Sequence, residues 1–229
     1  MQIFIDSANL SEIEKWMEMG VADGVTTNPS IMLKDGVHDL EKGARAIARL
    51  IHPRPLSVEV TTDGLDGMLK QGRQLAGWAD NIVIKVPQTT SQGLPCYGVM
   101  HKLEGEGIKV NATVALSIGH VFISAKAGAT YISIFAGRIT DEGGDASEII
   151  GNAVGWLERW DYKSKIIVGS IRSVGDVIQA ALAGAHIITI PPQFISKMVD
   201  HRNTRATVVQ FLNDAHESLE KIEAKRRDN

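Results

Sequence analysis

Cysteine occurs once in 229 residues, at Cys96. A single thiol forms no intrachain disulfide and no thiolate metal cluster, and it suits a reducing compartment. Neither sign of charge dominates, since 24 Lys and Arg face 27 Asp and Glu for a net charge of −3. That balance gives no reason to expect nucleic acid or an anionic membrane as partner. No apolar run approaches the ~20 residues that cross a bilayer. Met1 to Asp6 reads directly into a strand, without the basic start and long apolar core of a signal peptide. The expected location is the cytoplasm. The 7 histidines lack metal-ligand spacing, and the glycines at Gly143-Gly144 are too sparse for a phosphate-cradling loop. No linker, low-complexity tract or composition shift interrupts the chain. One domain over 1–229 is expected, with 204–229 as a helical extension.

What the chain does have is 44% hydrophobic residues, enough for one large core. Its organising stretch is Asn81-Ile82-Val83-Ile84-Lys85-Val86-Pro87. The β-branched run is that of a parallel strand buried on both faces, and Pro87 is expected to stop its ladder. Lysine is rarely buried without a reason. Taking an amine out of water favours its neutral form, which can attack a carbonyl and form a Schiff base. A lysine that snorkels out at a strand end, or sits in a structural ion pair, is the other reading of this stretch alone.

Apolar period and turn residues divide the chain into alternating strands and helices. Strands are expected at 2–6, 24–28, 56–60, around Lys85, and at 108–113, 130–135, 165–170 and 186–190. Helices are expected from a Ser11/Glu14 capping box, at 40–51, from Thr62 or Asp63 to Trp78, and at 91–106, 117–127, 146–160 and 174–183. A polar loop is expected from Gly137-Arg138. Two more helices, near 194–199 and 204–225, precede a frayed end at 225–229. Residues 124–133 and 180–189 form a weak repeat, each reading as a helix end, a capping glycine and a buried strand. This alternation is that of a TIM (β/α)8 barrel with an additional C-terminal helix.

A barrel of this kind places its active site at the C-terminal strand ends. Those ends carry Asp6, Asn28, Glu59, Lys85, Asn111 with Thr113, Phe135 with Arg138, Ser170 with Arg172, and Thr189. Singly, each has a plainer use. Asp6 suits a helix cap, Asn28 before Pro29 a turn, Arg138 and Arg172 the surface, and Ser170 and Thr113 backbone hydrogen bonds. Two carboxylates, an amine and two guanidiniums around one ring form a far more specific pattern. Cys96 reads as a helix residue rather than a nucleophile, having no base beside it in sequence.

These residues resemble a known family. Phe4-Ile5-Asp6-Ser7-Ala8-Asn9, Gly24-Val25-Thr26-Thr27-Asn28-Pro29-Ser30, Ile84-Lys85-Val86-Pro87, Asn111-Ala112-Thr113, Ala127-Gly128-Ala129-Thr130-Tyr131 and Ser170-Ile171-Arg172 are similar to the short transaldolases and the related fructose-6-phosphate aldolases. The likeness covers nearly the whole chain. It implies a class I aldolase barrel in which Lys85 forms the Schiff base and Asp6 is the acid/base. Glu59 and Thr113 would hold a catalytic water. Asn28 and Asn111 would hold donor hydroxyls, with Thr26 and Phe135 lining the substrate. Arg138 and Arg172, helped by Ser170, would hold the phosphate.

No metal or organic cofactor is implied, and the implied partners are sugar phosphates. Short members of the family form pentameric rings paired into decamers, so a homo-oligomer is implied, with residues from about Thr204 crossing to a neighbour. Glu59 and Phe135 follow the transaldolase pattern, where fructose-6-phosphate aldolases carry Gln and Tyr. The implied activity is transfer of a dihydroxyacetone unit from fructose 6-phosphate or sedoheptulose 7-phosphate to an aldose phosphate. The alternatives are an enzyme using free dihydroxyacetone and a sugar-phosphate-binding barrel without turnover. Four departures leave the acceptor open: the 88–93 loop beginning with Gln88, Ile134 in place of proline, Ser173-Val174 in place of Asn-Pro, and Pro192 in place of an aromatic.

Overall fold

The computed structural model describes residues 1–227, so Asp228 and Asn229, the tip of the expected extension, lie outside the described residues. The chain begins with β1 (Gln2–Asp6), α1 (Leu10–Glu18), β2 (Gly24–Thr26), α2 (Pro29–Lys34), α3 (Leu40–Ile51) and β3 (Leu56–Glu59). It continues through α4 (Leu65–Ala76), β4 (Ile82–Pro87), α5 (Tyr97–Gly105), β5 (Val110–Ala115) and α6 (Ile118–Lys126). Then come β6 (Tyr131–Phe135), α7 (Ala136–Asp141), α8 (Ala146–Arg159), β7 (Lys165–Gly169), α9 (Val174–Leu182) and β8 (Ile187–Ile190). The strands are parallel and follow one another round a closed barrel, with β8 pairing back onto β1. The fold is the TIM barrel that the alternation implies.

Alternate residues of a strand face opposite sides, so each strand sends one set of side chains to the barrel axis and the other to the helices. The outward set is aliphatic, as the runs predict: Val58, Ile84, Val86, Ile132, Ile134, Ile166 and Ile188 are fully buried. The helices meet them with one apolar face each, Ala44, Ile47, Ala48 and Ile51 on α3 and Ile150, Ala153, Val154 and Leu157 on α8. Inside the barrel, the N-terminal end is closed by Phe4, Ile167 and Ile187 with Tyr131 packed against them. Burying an Ile or Phe fully contributes about 1.5–3 kcal/mol. Gly24 lies opposite Phe4, and a Cβ there would meet the Phe4 ring at 2.8 Å, so only glycine fits beside it. Nearer the C-terminal end the interior is polar: Thr26, Ser57, Lys85, Asn111, Thr113, Ser133 and Thr189 are all buried.

Local departures from the sequence reading have identifiable causes. Asn9, not Ser11, caps α1, because its side chain reaches the Glu12 N–H and also accepts from Ser11 Oγ at 2.7 Å. Six residues after Asn28 form the unexpected α2, with Asn28 as cap and Pro29 in the first turn, where a missing N–H costs nothing. The ladder does end at Pro87, though from inside it: Pro87 is the last residue of β4, beside Thr113 of β5. Residues 88–96 are a loop, not helix: Thr89 bridges Pro95, Gly93 takes a φ of 82°, and Asp63 accepts from the Ser91 N–H at 2.7 Å. The polar loop expected from Gly137-Arg138 is instead α7. Both halves of the weak repeat do end a helix on a left-handed glycine, Gly128 and Gly184, before a strand.

Met1–Pro192 forms one compact unit, and a second begins at Gln193. The C-terminal part holds α10 (Pro192–Val199) and α11 (Arg202–Arg227), and no residue of α11 is buried. Residues 225–227 are helical and exposed, the last described turn of α11. Among the described residues no helix is long and apolar enough to cross a membrane.

Candidate active site

Register decides which side chains meet. Lys85 lies opposite Glu59 of β3 on one side and Asn111 of β5 on the other. Lys85 is 4% exposed. Its Nζ donates to the Thr27 carbonyl at 2.8 Å and stands 3.0 Å from Glu59 Oε2. Snorkelling is thereby excluded. The amine is held within the barrel by an acceptor and a carboxylate, and a buried charge without such partners would be costly.

Asp6 ends β1 and accepts from Thr26 Oγ1 at 2.7 Å. Thr26 Oγ1, on β2, in turn lies 2.5 Å from Thr189 Oγ1 on β8, the two strands that flank β1. Burial pushes the Asp6 carboxyl above its usual range, against the opposing effects of the Thr26 hydrogen bond and the Lys85 charge. The turn that follows is pinned by Asp35, whose Oδ2 accepts from Ser7 Oγ and the Ala8 N–H, both at 2.8 Å.

Asn111 is fully buried with both ends of its amide engaged. Its Oδ1 accepts from Ser133 Oγ at 2.7 Å and its Nδ2 donates to Ser57 Oγ at 3.3 Å. Asn28 accepts the Ile31 N–H on its Oδ1 at 2.9 Å, and its NH2 group has no hydrogen-bond partner among the described residues. Thr113 is also fully buried, and its hydroxyl has no hydrogen-bond partner among the described residues. Directly after it, Val114 has a φ of 59°.

The mouth of the barrel on the β6–β7 side carries the cationic residues. Phe135 leads into α7, whose second residue, Gly137, donates its N–H to the Ser170 carbonyl at 3.2 Å. A Cβ at Gly137 would stand 2.3 Å from that carbonyl oxygen and 2.8 Å from Arg172 Nε, so glycine alone permits this approach. Ser170 has a φ of 58°. Non-glycine residues in the left-handed region cost roughly 1–3 kcal/mol each and gather at functional sites. Arg172 presents its fork to the Asp141 carboxylate through two hydrogen bonds, which hold that carboxyl below its usual range. Arg138 is exposed, and no ion pair occupies it among the described residues.

The structure thus gathers Lys85, Glu59, Asp6, Thr26, Asn111 and Thr113 in or beside one polar barrel interior, with Ser170, Arg138 and Arg172 at its rim. Reading strand ends alone missed Ser57, Ser133, Asp35 and Asp141, and gave Thr189 no role. Period two was the usable signal, because Ser57 and Ser133 precede Glu59 and Phe135 by two residues and share their inward face. Cys96 is fully buried near Met68, with its thiol pushed up by burial, as suits a structural residue. Among the described residues no group of three or more His, Cys, Asp or Glu could hold a metal ion.

A parallel barrel with its ionisable residues collected at the C-terminal strand ends is the arrangement of a (β/α)8-barrel enzyme. This chain belongs to the transaldolase/fructose-6-phosphate aldolase family, whose model matches residues 3–228, and it is an aldolase-type enzyme. It is 36% identical over 214 residues to a probable transaldolase of Dehalococcoides mccartyi, covering 93% of this chain and 97% of the relative. A probable transaldolase of Streptococcus pyogenes is 39% identical over the same shares. A thiamine phosphate pyrophosphorylase structure from Pyrococcus furiosus has a TM-score of 0.57 at 12% identity, over 83% of this chain and 85% of that one. At that identity the likeness concerns the fold alone.

Proposed function

We propose that the enzyme transfers a dihydroxyacetone unit from a ketose phosphate, such as fructose 6-phosphate or sedoheptulose 7-phosphate, to an aldose phosphate through a Schiff base on Lys85. The carrying observation is the buried amine, 3.0 Å from Glu59 in a polar barrel interior. Lys85 adds to the ketose C2 carbonyl, and Glu59 is within reach of the proton the amine must shed. Loss of water gives the iminium. Asp6 takes the proton of the C4 hydroxyl, the C3–C4 bond breaks so that C4 leaves as the aldehyde of a shorter aldose phosphate, and the bond's electron pair moves into the iminium to leave an enamine. An aldose phosphate then adds by the reverse steps, and water releases the product ketose.

The unused hydroxyl of Thr113 suits the water that carries protons during imine formation and breakdown. Asn111 and Asn28 suit the donor hydroxyls, with Thr26 and Phe135 lining the substrate. Arg138, Ser170 and Arg172 suit the phosphate, Arg172 exchanging Asp141 for it. Phe135, lacking a hydroxyl, favours transfer over release of free dihydroxyacetone.

Borohydride with fructose 6-phosphate should add the reduced donor to the peptide containing Lys85, as mass spectrometry reads. An adduct on another lysine, or none, contradicts the mechanism. Lys85→Met should lower turnover by more than about 10,000-fold, beyond the share of one proton-transfer group, while keeping the fold, since an apolar stem of similar size fills the site.

The same reading includes a homo-oligomer, pentamer or decamer. Its support is α11, where Val208, Val209, Phe211, Leu212, Leu219 and Ile222 form a stripe that stays exposed. A reducing cytoplasm is the location that suits this activity and the lone cysteine.

A further inference from the structure

We propose that Gln88 is a positioning residue for Thr113, acting through a bulge in β5; the inference rests on the role proposed above for the Thr113 hydroxyl. Ala112 lies opposite Ile132 and Ala115 opposite Ile134, so Thr113 and Val114 together face the single residue Ser133. Val114 takes up the extra residue with its φ of 59°. For a β-branched residue that conformation is an outlier, and it persists only where the surroundings enforce it.

The enforcing contact is a buried amide. Gln88 is 3% exposed, although it stands in the loop after β4. Its Nε2 donates to the Thr113 carbonyl at 3.1 Å. At the other end, Oε1 accepts at 3.0 Å from the hydroxyl of Ser124 on α6, itself fully buried. A glutamine at this depth is unfavourable unless both ends are satisfied, and here both are. With both ends held, the amide ties the Thr113–Val114 peptide to α6 behind the barrel wall. The Thr113 hydroxyl has no hydrogen bond of its own among the described residues to fix it. Its place in the site is therefore set by the backbone, and the backbone is set by Gln88. Sequence reading marked Gln88 only as a departure from the family pattern.

Gln88→Met keeps the length and apolar fit and removes both hydrogen bonds. The variant should lower kcat about 10-fold, less than the loss of a whole proton-transfer group, and leave KM within about twofold. Amide exchange at Val114 and Ala115 should quicken while distant strands stay protected. Ser124→Ala, which frees one end of the amide, should act in the same direction more weakly, and it carries the test if Gln88→Met does not fold. In a Val114→Gly background the loss from Gln88→Met should shrink, because glycine holds a left-handed φ without strain. Wild-type kcat with wild-type exchange in Gln88→Met overturns the proposal. So does a fall in kcat with exchange at Val114 unchanged. If the wild-type enzyme gives no borohydride adduct on Lys85, the function reading fails, while the exchange measurement still judges the tie between Gln88 and the bulge.

Discussion

A hydroxyl has one proton to give, and that fixes the direction of the Thr189–Thr26–Asp6 chain. An ionised Asp6 only accepts, so Thr26 donates to it and Thr189 must donate to Thr26. Each bond in such a chain polarises the next. Thr189→Val should weaken the Thr26 hydrogen bond, which lowers the Asp6 pKa, and should therefore move the acid limb of the kcat/KM profile to higher pH. Thr189→Ser should restore it. An unmoved acid limb in Thr189→Val removes the chain's bearing on Asp6.

Asp6 also leaves a mark on stability. Its folded pKa lies above the ordinary value of 3.8, so the native state binds the proton more tightly than the unfolded chain. Stability from this group is full below the unfolded value and is lost as pH rises through the folded one. Asp6→Asn should accordingly melt higher than the wild type at pH 7, with the gap closing as pH falls towards 3.8. Paired melting curves across that range check both the sign and the closure.

Among the elements, what sequence made legible and what it left out divide cleanly. Strands showed because aliphatic runs such as Ile82–Val86 have no other use, and Lys85 showed because it interrupts one. Asp6, Glu59 and Ser170 followed from counting to strand ends. Contacts that depend on barrel closure did not show, since Thr26 and Thr189 are 163 residues apart in sequence. Short helices also escaped: α2 and α7 have 6 residues each, too few to display a period of 3.6. The second of these matters to function, because Gly137 brings α7 against Ser170 and Arg172. Gly137→Ala should force those segments apart at a cost of about 1–3 kcal/mol in stability, the usual penalty of overpacking. It should also raise KM for sugar phosphates about 10-fold or more while changing kcat less, in line with lost charge-assisted contacts. A steady-state comparison with an unphosphorylated ketose checks that the defect follows the phosphate.

At the scale of the whole molecule, the proposed oligomer has a direct reading. A subunit of 24.8 kDa should scatter light at micromolar concentration with a mass near five or ten subunits. Truncation before Arg202 should dissociate the assembly, and a monomeric full chain contradicts it. The barrel itself closes only when β8 reaches β1, and Thr189 arrives with that strand. A ribosome therefore completes Asp6, Glu59 and Lys85 long before the last proton donor of the Asp6 chain exists. Until then the first and last strands are raw edges, and the carboxylate lacks its final support. Competence is thus deferred to the closing of the ring, and a product of incomplete synthesis ending before Ile187 carries the nucleophile without its finished acid.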